Sequence, residues 1–192
     1  MKVVAFNCSP RKDGNTAHMI KDVFKVLNAA GIDTELVQVG GTPIKGCRGC
    51  GACGKNKNMR CIMDDDILNQ CIQKMVEADG IIIGSPTYFA DLTSEAKALI
   101  DRAGYVIRQN GNPIKRKGGA AVVASRRAGS VHTFDSINHL FLACEMLVVG
   151  SSYWNMSLAR AEGDYEKDEE GMKTMKILGE NMAWILKKVN EE

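Results

Sequence analysis

Lys2-Val3-Val4-Ala5-Phe6-Asn7-Cys8-Ser9-Pro10-Arg11-Lys12-Asp13-Gly14-Asn15-Thr16 decides how the chain is read. Lys2 to Asn7 is an apolar, β-branched run of strand length. A polar loop follows and runs directly into helical spacing at Met19, Val23, Val26, Leu27 and Ala30. A strand without polar alternation, leading through a short loop into an amphipathic helix, is the first unit of a parallel sheet covered on both faces. The loop itself suits an anion. Backbone N–H groups at a helix start carry partial positive charge, the Ser9 and Thr16 hydroxyls and the Asn15 amide can surround a phosphate, and Arg11 adds a charged fork. The same residues also suit a well-capped helix, with Asn15 or Thr16 as N-cap and Arg11 solvated. The GxxxxGK[ST] string is absent, which argues against nucleotide hydrolysis.

The pattern repeats outward from this unit. Thr34–Val39, Gly80–Gly84, Gly119–Ala124 and Met146–Val149 read as four further strands. Helical spacing recurs at Leu68, Ile72, Met75 and Val76, and again at Ala96, Leu99, Ile100 and Ala103. After an acidic turn from Glu162 to Glu170, a closing helix is expected through Met175, Leu178, Met182, Ile185, Leu186 and Val189. The expectation is one domain over residues 1–192, a doubly wound five-stranded parallel sheet. With 45% of its 192 residues apolar, the chain is long enough to bury one core and short for two. Its 25 basic and 23 acidic residues are scattered and nearly cancel, so neither a nucleic-acid stripe nor a membrane anchor is expected. No apolar run reaches the length of a membrane span. The chain passes at once from Lys2 into strand residues, with no leader pattern, and four of its seven cysteines crowd between Cys47 and Cys61. A reducing, cytoplasmic setting is expected.

In a sheet ordered 2-1-3-4-5, a crevice opens between the loops that follow strands one and three. The second of these is Ser85-Pro86-Thr87-Tyr88-Phe89, a proline turn and two aromatics. A phosphate site on one side and flat aromatic surface on the other suit FMN. Ordinary hydrophobic packing of Tyr88 and Phe89 is the competing reading. After strand four, Ser125-Arg126-Arg127-Ala128-Gly129-Ser130 brings positive charge that suits an anionic reduced flavin, or simply a solvated arginine pair. His132 follows that loop within reach of flavin or substrate, whereas His18 and His139 read as structural.

Residues 46–63 hold Cys47, Cys50, Cys53 and Cys61, spaced C-x2-C-x2-C-x7-C. Four thiolates are the ligand set of a 4Fe-4S cluster, and two-residue spacers with interleaved glycines let the chain wrap one cuboid. Zinc, or a loop of free thiols, also satisfies this set. Gly49-Cys50-Gly51-Ala52-Cys53-Gly54 matches GxGxxG, but no strand leads into it and no helix is expected to open from it, so a dinucleotide site is not inferred. Cys8, Cys71 and Cys144 sit in apolar or helical settings and read as buried.

Together, the Ser9-Pro10-Arg11-Lys12 loop with Asn15-Thr16, the cysteine segment leading to Asp64-Asp65-Asp66, Ser85-Pro86-Thr87-Tyr88 and Lys97-Ala98-Leu99-Ile100-Asp101-Arg102 resemble the iron-sulfur flavoproteins. These lie within the NADPH-dependent FMN reductase branch of flavodoxin-like proteins, and the resemblance covers nearly the whole chain. It implies that Ser9, Arg11, Asn15 and Thr16 take the FMN phosphate and that Pro86, Thr87, Tyr88 and Phe89 take the ribityl chain and ring. The loop carrying Ser125, Arg126, Arg127 and Gly129 would take the ring's polar edge. Cys47, Cys50, Cys53 and Cys61 would ligate the cluster. It further implies a homodimer or homotetramer and an oxidoreductase that passes electrons from NAD(P)H or a ferredoxin, through the cluster or directly, to a quinone, nitro, azo or protein acceptor. A non-enzymatic electron carrier and a redox-sensing module are the alternatives.

Overall fold

Val3 and Ala5 point to one face of the first strand, Val4 and Phe6 to the other, and all four are fully buried. Such a strand must lie inside a sheet with both faces covered. The computed structural model describes residues 1–190. Its strands are β1 (Lys2–Asn7), β2 (Asp33–Gln38), β3 (Gly80–Pro86), β4 (Gly118–Ser125), β5 (Leu147–Val148) and β6 (Met156–Leu158). Its helices are α1 (Asn15–Ala29), α2 (Ala52–Asn56), α3 (Leu68–Glu77), α4 (Ser94–Gln109), α5 (Ser130–Ala143) and α6 (Glu169–Asn190), with a 3-10 turn at Asp164–Lys167. The strands pair in the order β2-β1-β3-β4-β5, all parallel, as expected for the doubly wound sheet.

Each face has its own core. Val3, Ala5, Ile82 and Val122 pack with Met19, Val23 and Leu27 of α1 and with Leu178 and Met182 of α6. Val4, Phe6, Ile83 and Val123 pack on the other side with Ile72 and Met75 of α3, Leu99 and Val106 of α4, and Ile137 and Phe141 of α5. The chain therefore leaves β1 over one face and β3 over the other, and their loops part at the carboxyl edge.

Four sequence expectations need correction. The second strand begins and ends one residue earlier than Thr34–Val39. The fifth is split: β5 pairs with the start of β4 at Gly118 and Gly119, and β6 resumes alongside Val123 to Ser125. Between them the buried Asn155 takes over, its carbonyl accepting from the Val123 N–H at 2.9 Å. The sequence reading places no helix between strands four and five, yet α5 lies there; exposed Val131 and Leu142 blur its apolar stripe. A one-turn helix, α2, does open within the GxGxxG match, started by Gly51 in the left-handed region. No strand leads into it, so the dinucleotide reading still lacks its context.

The loop after β1 is fixed by its neighbour. Asn7 Nδ2 donates to Gln38 Oε1 at 2.7 Å, and Gln38 Nε2 donates to the carbonyls of Ser9 (2.8 Å) and Gly40 (2.6 Å). This holds the backbone of Gly40 against Ser9. A Cβ at residue 40 would lie 2.2 Å from the Ser9 carbonyl carbon and 2.5 Å from the Cys8 oxygen, backbone atoms with no rotamer to yield. Gly40→Ala is expected to cost about 1–3 kcal/mol, the range for overpacking, read as a lowered denaturant midpoint. Gly46→Ala, where an added Cβ meets nothing within 4 Å, is the control and should leave the midpoint unchanged.

Candidate functional site

The two parted loops enclose a crevice. Ser9, Arg11, Asn15 and Thr16 line one side, and Pro86, Thr87 and Tyr88 line the other. Ala124 and Arg126 at the end of β4, and Ala159 and Arg160 after β6, close the rest. Eight of the predicted flavin-site residues, Arg126 among them, thus meet in one place. Ala124, Ala159 and Arg160 were not anticipated. Arg160 arrives through tertiary ties: Asn15 Nδ2 donates to the Ala161 carbonyl at 2.7 Å, and Asn15 Oδ1 accepts from the Tyr165 N–H at 3.3 Å. The Asn15 amide therefore fastens the Arg160 loop to the start of α1.

Helix α1 starts without a side-chain cap. Gly14 holds the N-cap position in extended conformation, and among the described residues no side chain bonds the first N–H groups. Neither Asn15 nor Thr16 acts as the cap, so the helix start keeps its unsatisfied donors. Ser9 Oγ accepts from the Arg11 N–H at 3.2 Å, which curls the loop and leaves the hydroxyl hydrogen to donate. The guanidiniums of Arg11, Arg126 and Arg160 have no partner among the described residues, and no carboxylate lines the crevice. Three unpaired cations beside open helix donors make a strongly anion-seeking pocket.

The turn after β3 is tight. Tyr88 N–H donates to the Asp91 carbonyl at 2.7 Å and Asp91 N–H returns the bond at 3.1 Å, with Phe89 (φ 47°) and Ala90 (φ 67°) both in the left-handed region. Non-glycine residues pay roughly 1–2 kcal/mol each for that conformation. Tyr88 is half exposed on the crevice, while Phe89 stands fully exposed at the tip and off its lining. Neither is a core residue. Gly129 (φ 87°) lets α5 approach this turn, since a Cβ there would lie 2.7 Å from Ala90 Cα. Ser125 is buried and its Oγ accepts from the Arg127 N–H at 3.3 Å, so it shapes the loop from beneath. Ser125, Arg127 and Gly129 do not line the crevice; Arg127 lines a separate hollow with Tyr153 and Trp154. His132 is exposed, its Nε2 3.6 Å from Asp91 Oδ2 at the turn's edge. His18 bridges Asp13 (3.3 Å) and Glu166 (3.2 Å), a structural position as expected.

Cys47, Cys50, Cys53 and Cys61 line a second, small and almost wholly apolar hollow, together with Arg102 and Tyr105 of α4. Cys47 and Cys50 are exposed, Cys61 is half-buried and Cys53 is buried, with burial pushing its thiol pKa up. Among the described residues, no three cysteine, histidine or acidic side chains stand close enough to hold one metal ion. The segment is pinned from outside. Asn69 Oδ1 accepts from the Cys61 N–H at 2.8 Å, and Asn110 Oδ1 accepts from the Met59 N–H at 3.0 Å. Arg102 and Asp66 form an ion pair with side chains 1% and 0% exposed. Burial pushes the Asp66 carboxyl upward, but bonds from Arg102 and from the N–H groups of Lys45 and Leu68 outweigh it and hold it below the usual range. Cys8, Cys71 and Cys144 are fully buried as expected, and desolvation pushes the Cys71 thiol to about 12, so it stays protonated.

The model of the NADPH-dependent FMN reductase family matches residues 1–161. An iron-sulfur flavoprotein of Methanocaldococcus jannaschii is 33% identical over 201 residues, covering all of both chains. The iron-sulfur flavoprotein of Methanosarcina thermophila is 30% identical over 199 residues, covering all of this chain and 98% of its own. Among solved structures, the NAD(P)H:quinone oxidoreductase of Methanothermobacter marburgensis superposes with a TM-score of 0.67 at 11% identity, covering 95% of this chain and 98% of that one, a likeness of fold. With the family model spanning most of its length and full-length relatives at this identity, the chain belongs to the NADPH-dependent FMN reductase family, among its iron-sulfur flavoproteins.

Proposed function

We propose that the crevice binds FMN and that the protein is a flavin-dependent oxidoreductase drawing on NAD(P)H. The observation that carries this is the trio of unpaired guanidiniums, Arg11, Arg126 and Arg160, around an uncapped helix start at the switch point of the sheet. Family membership supports it. Bound FMN supplies the redox chemistry, accepting a hydride and releasing electrons in pairs or singly. The chain's residues bind and orient it. The N–H groups at the start of α1, the Ser9 hydroxyl and Arg11 take the phosphate, with Thr16 beside them and Asn15 holding the Arg160 loop in place. Pro86, Thr87 and Tyr88 take the ribityl chain and ring. Arg126 and Arg160 favour the negative charge of the reduced ring.

The hollow of Cys47, Cys50, Cys53 and Cys61 fits a 4Fe-4S cluster by its donor set of four thiols in one apolar site. A cluster bound there supplies one-electron outflow to a protein acceptor, whereas quinone, nitro or azo compounds take electrons at the crevice. The crevice and the hollow share no lining residue. From the resemblance to the iron-sulfur flavoproteins, with which this separation agrees, we read the working unit as a homodimer or homotetramer in which one subunit's cysteine segment faces its partner's flavin.

Three measurements test these assignments. Cofactor released from anaerobically purified protein should be FMN, and NADH or NADPH should bleach the flavin without air; a flavin that neither nucleotide bleaches would make the protein a carrier. Arg11→Ala removes a charge-assisted bond of roughly 1.5–3 kcal/mol and should weaken FMN binding about ten- to a hundredfold, with unchanged affinity refuting the phosphate role. Cys50→Ala should lose iron and sulfide yet keep FMN and its reduction by nicotinamide, while transfer to one-electron protein acceptors falls sharply. Zinc in the native protein would instead support a structural metal.

A further inference from the structure

Arg102 occupies a position where an apolar residue would suffice for packing. It lies on the inner face of α4 among Leu99, Ala103 and Val106, and its side chain is 1% exposed. Arginine is almost never so buried without a reason in its partners. Four of its five N–H donors are engaged. Nη1 donates to Asp66 Oδ2 and to the Lys45 carbonyl at 3.0 Å; Nη2 donates to the Met63 carbonyl at 3.2 Å and to Cys61 Sγ at 3.4 Å. These partners bracket the segment that carries all four cysteines. The fifth donor, Nε–H, is buried and has no partner. An orphaned buried donor is costly, because it has given up its bond to water with nothing in exchange.

A clamp alone accounts for the carbonyls and Asp66. It does not account for the bond to a thiol or for an unsatisfied N–H on a side chain that lines the cysteine hollow. Both are accounted for if the hollow's occupant is rich in sulfur acceptors. We propose that Arg102 is a positioning residue of the cysteine site: it donates to the Cys61 sulfur, and through Nε–H to a sulfur of the bound group, and thereby sets the cluster's reduction potential. This rests on the 4Fe-4S reading of the four cysteines. Because Asp66 neutralises the guanidinium, the influence runs through directed N–H···S bonds more than through net charge. Such bonds favour the electron-richer reduced state and raise the potential.

The test uses the full chain, prepared and reconstituted without air, with iron, sulfide and FMN content, the midpoint potential of the cluster and the EPR spectrum of its reduced state as readouts. Arg102→Lys keeps the charge facing Asp66 and loses the fork. The double variant Arg102→Gln with Asp66→Asn removes both charges, so no buried ion is left unpaired. In both, FMN content should match the native protein, and the cluster's reduced-to-oxidised ratio at fixed solution potential should fall about tenfold, or about 59 mV for a one-electron couple. A changed EPR spectrum should accompany it, which a merely structural clamp would not produce. Variants that hold a full cluster at the native potential and with the native spectrum would overturn the inference while leaving the cluster reading intact. Native protein lacking iron and sulfide would overturn both. Should neither variant fold, pulsed EPR of otherwise native protein labelled with 15N-arginine, in an Arg48→Lys background, should show coupling from an arginine nitrogen to the reduced cluster; its absence would overturn the inference.

Discussion

β1 and β3 are hydrogen-bonded side by side, Val3 opposite Gly80 through to Asn7 opposite Gly84, yet the chain leaves them over opposite faces of the sheet. The gap at their carboxyl ends follows from that parting, because nothing in the crossover geometry can fill it. Everything anion-seeking in the crevice is arranged around this gap. The uncapped start of α1 stands on one side, the Pro86 turn on the other, and the arginines reach in from β4 and from the loop after β6. The Asn7–Gln38 bond and the close approach of Gly40 keep the first loop from relaxing into the space. Stability of the sheet and shape of the site are here one constraint.

How much of this could be read beforehand depends on how local each feature is. β1, β3 and β4 are buried on both faces and announce themselves as unbroken apolar runs. Their following loops carry the residue types a phosphate and a planar ring require, so Ser9, Arg11, Thr16 and Tyr88 are visible in the sequence. Arg160 is not, because its place comes from Asn15 reaching 146 residues along the chain to the Ala161 carbonyl. β6 has three residues and hides for the same reason, since its pairing with β4 depends on the bridge through Asn155. Phe89 had two readings, ring contact or core; its positive φ at a two-residue turn tip turns it into solvent instead. Backbone conformation of that kind leaves no trace in residue type when the residue is neither glycine nor asparagine.

The cysteine segment shows the limit of spacing as evidence. C-x2-C-x2-C-x7-C names a set of potential ligands, but not what holds the segment in place. That work falls to side chains outside it: Asn69 on α3, and Asn110 and Arg102 at and on α4. In the sequence Arg102 closes the Lys97-Ala98-Leu99-Ile100-Asp101-Arg102 stretch that carries part of the family resemblance, and between the apolar positions Ile100 and Ala103 a solvated charge is the ordinary expectation. Its burial is decided by Asp66, which lies 36 residues away and is itself held by the Lys45 and Leu68 N–H groups.

These contacts give α4 a second role. Its N-cap, Thr93, accepts from the Ala96 N–H and donates to the Cys8 carbonyl at 2.9 Å, next to the loop that forms the crevice. Nine residues on, roughly 13 Å along the axis at 1.5 Å per residue, Arg102 grips the cysteine segment. Both attachments are buried, and Leu99, Ala103 and Val106 between them pack into the core. A capped helix seated in this way does not bend without breaking core contacts. One rigid element therefore registers the cysteine segment against the crevice, although the two share no residue. Any displacement at one end that is large enough to matter must be carried by α4 as a whole or resisted by it.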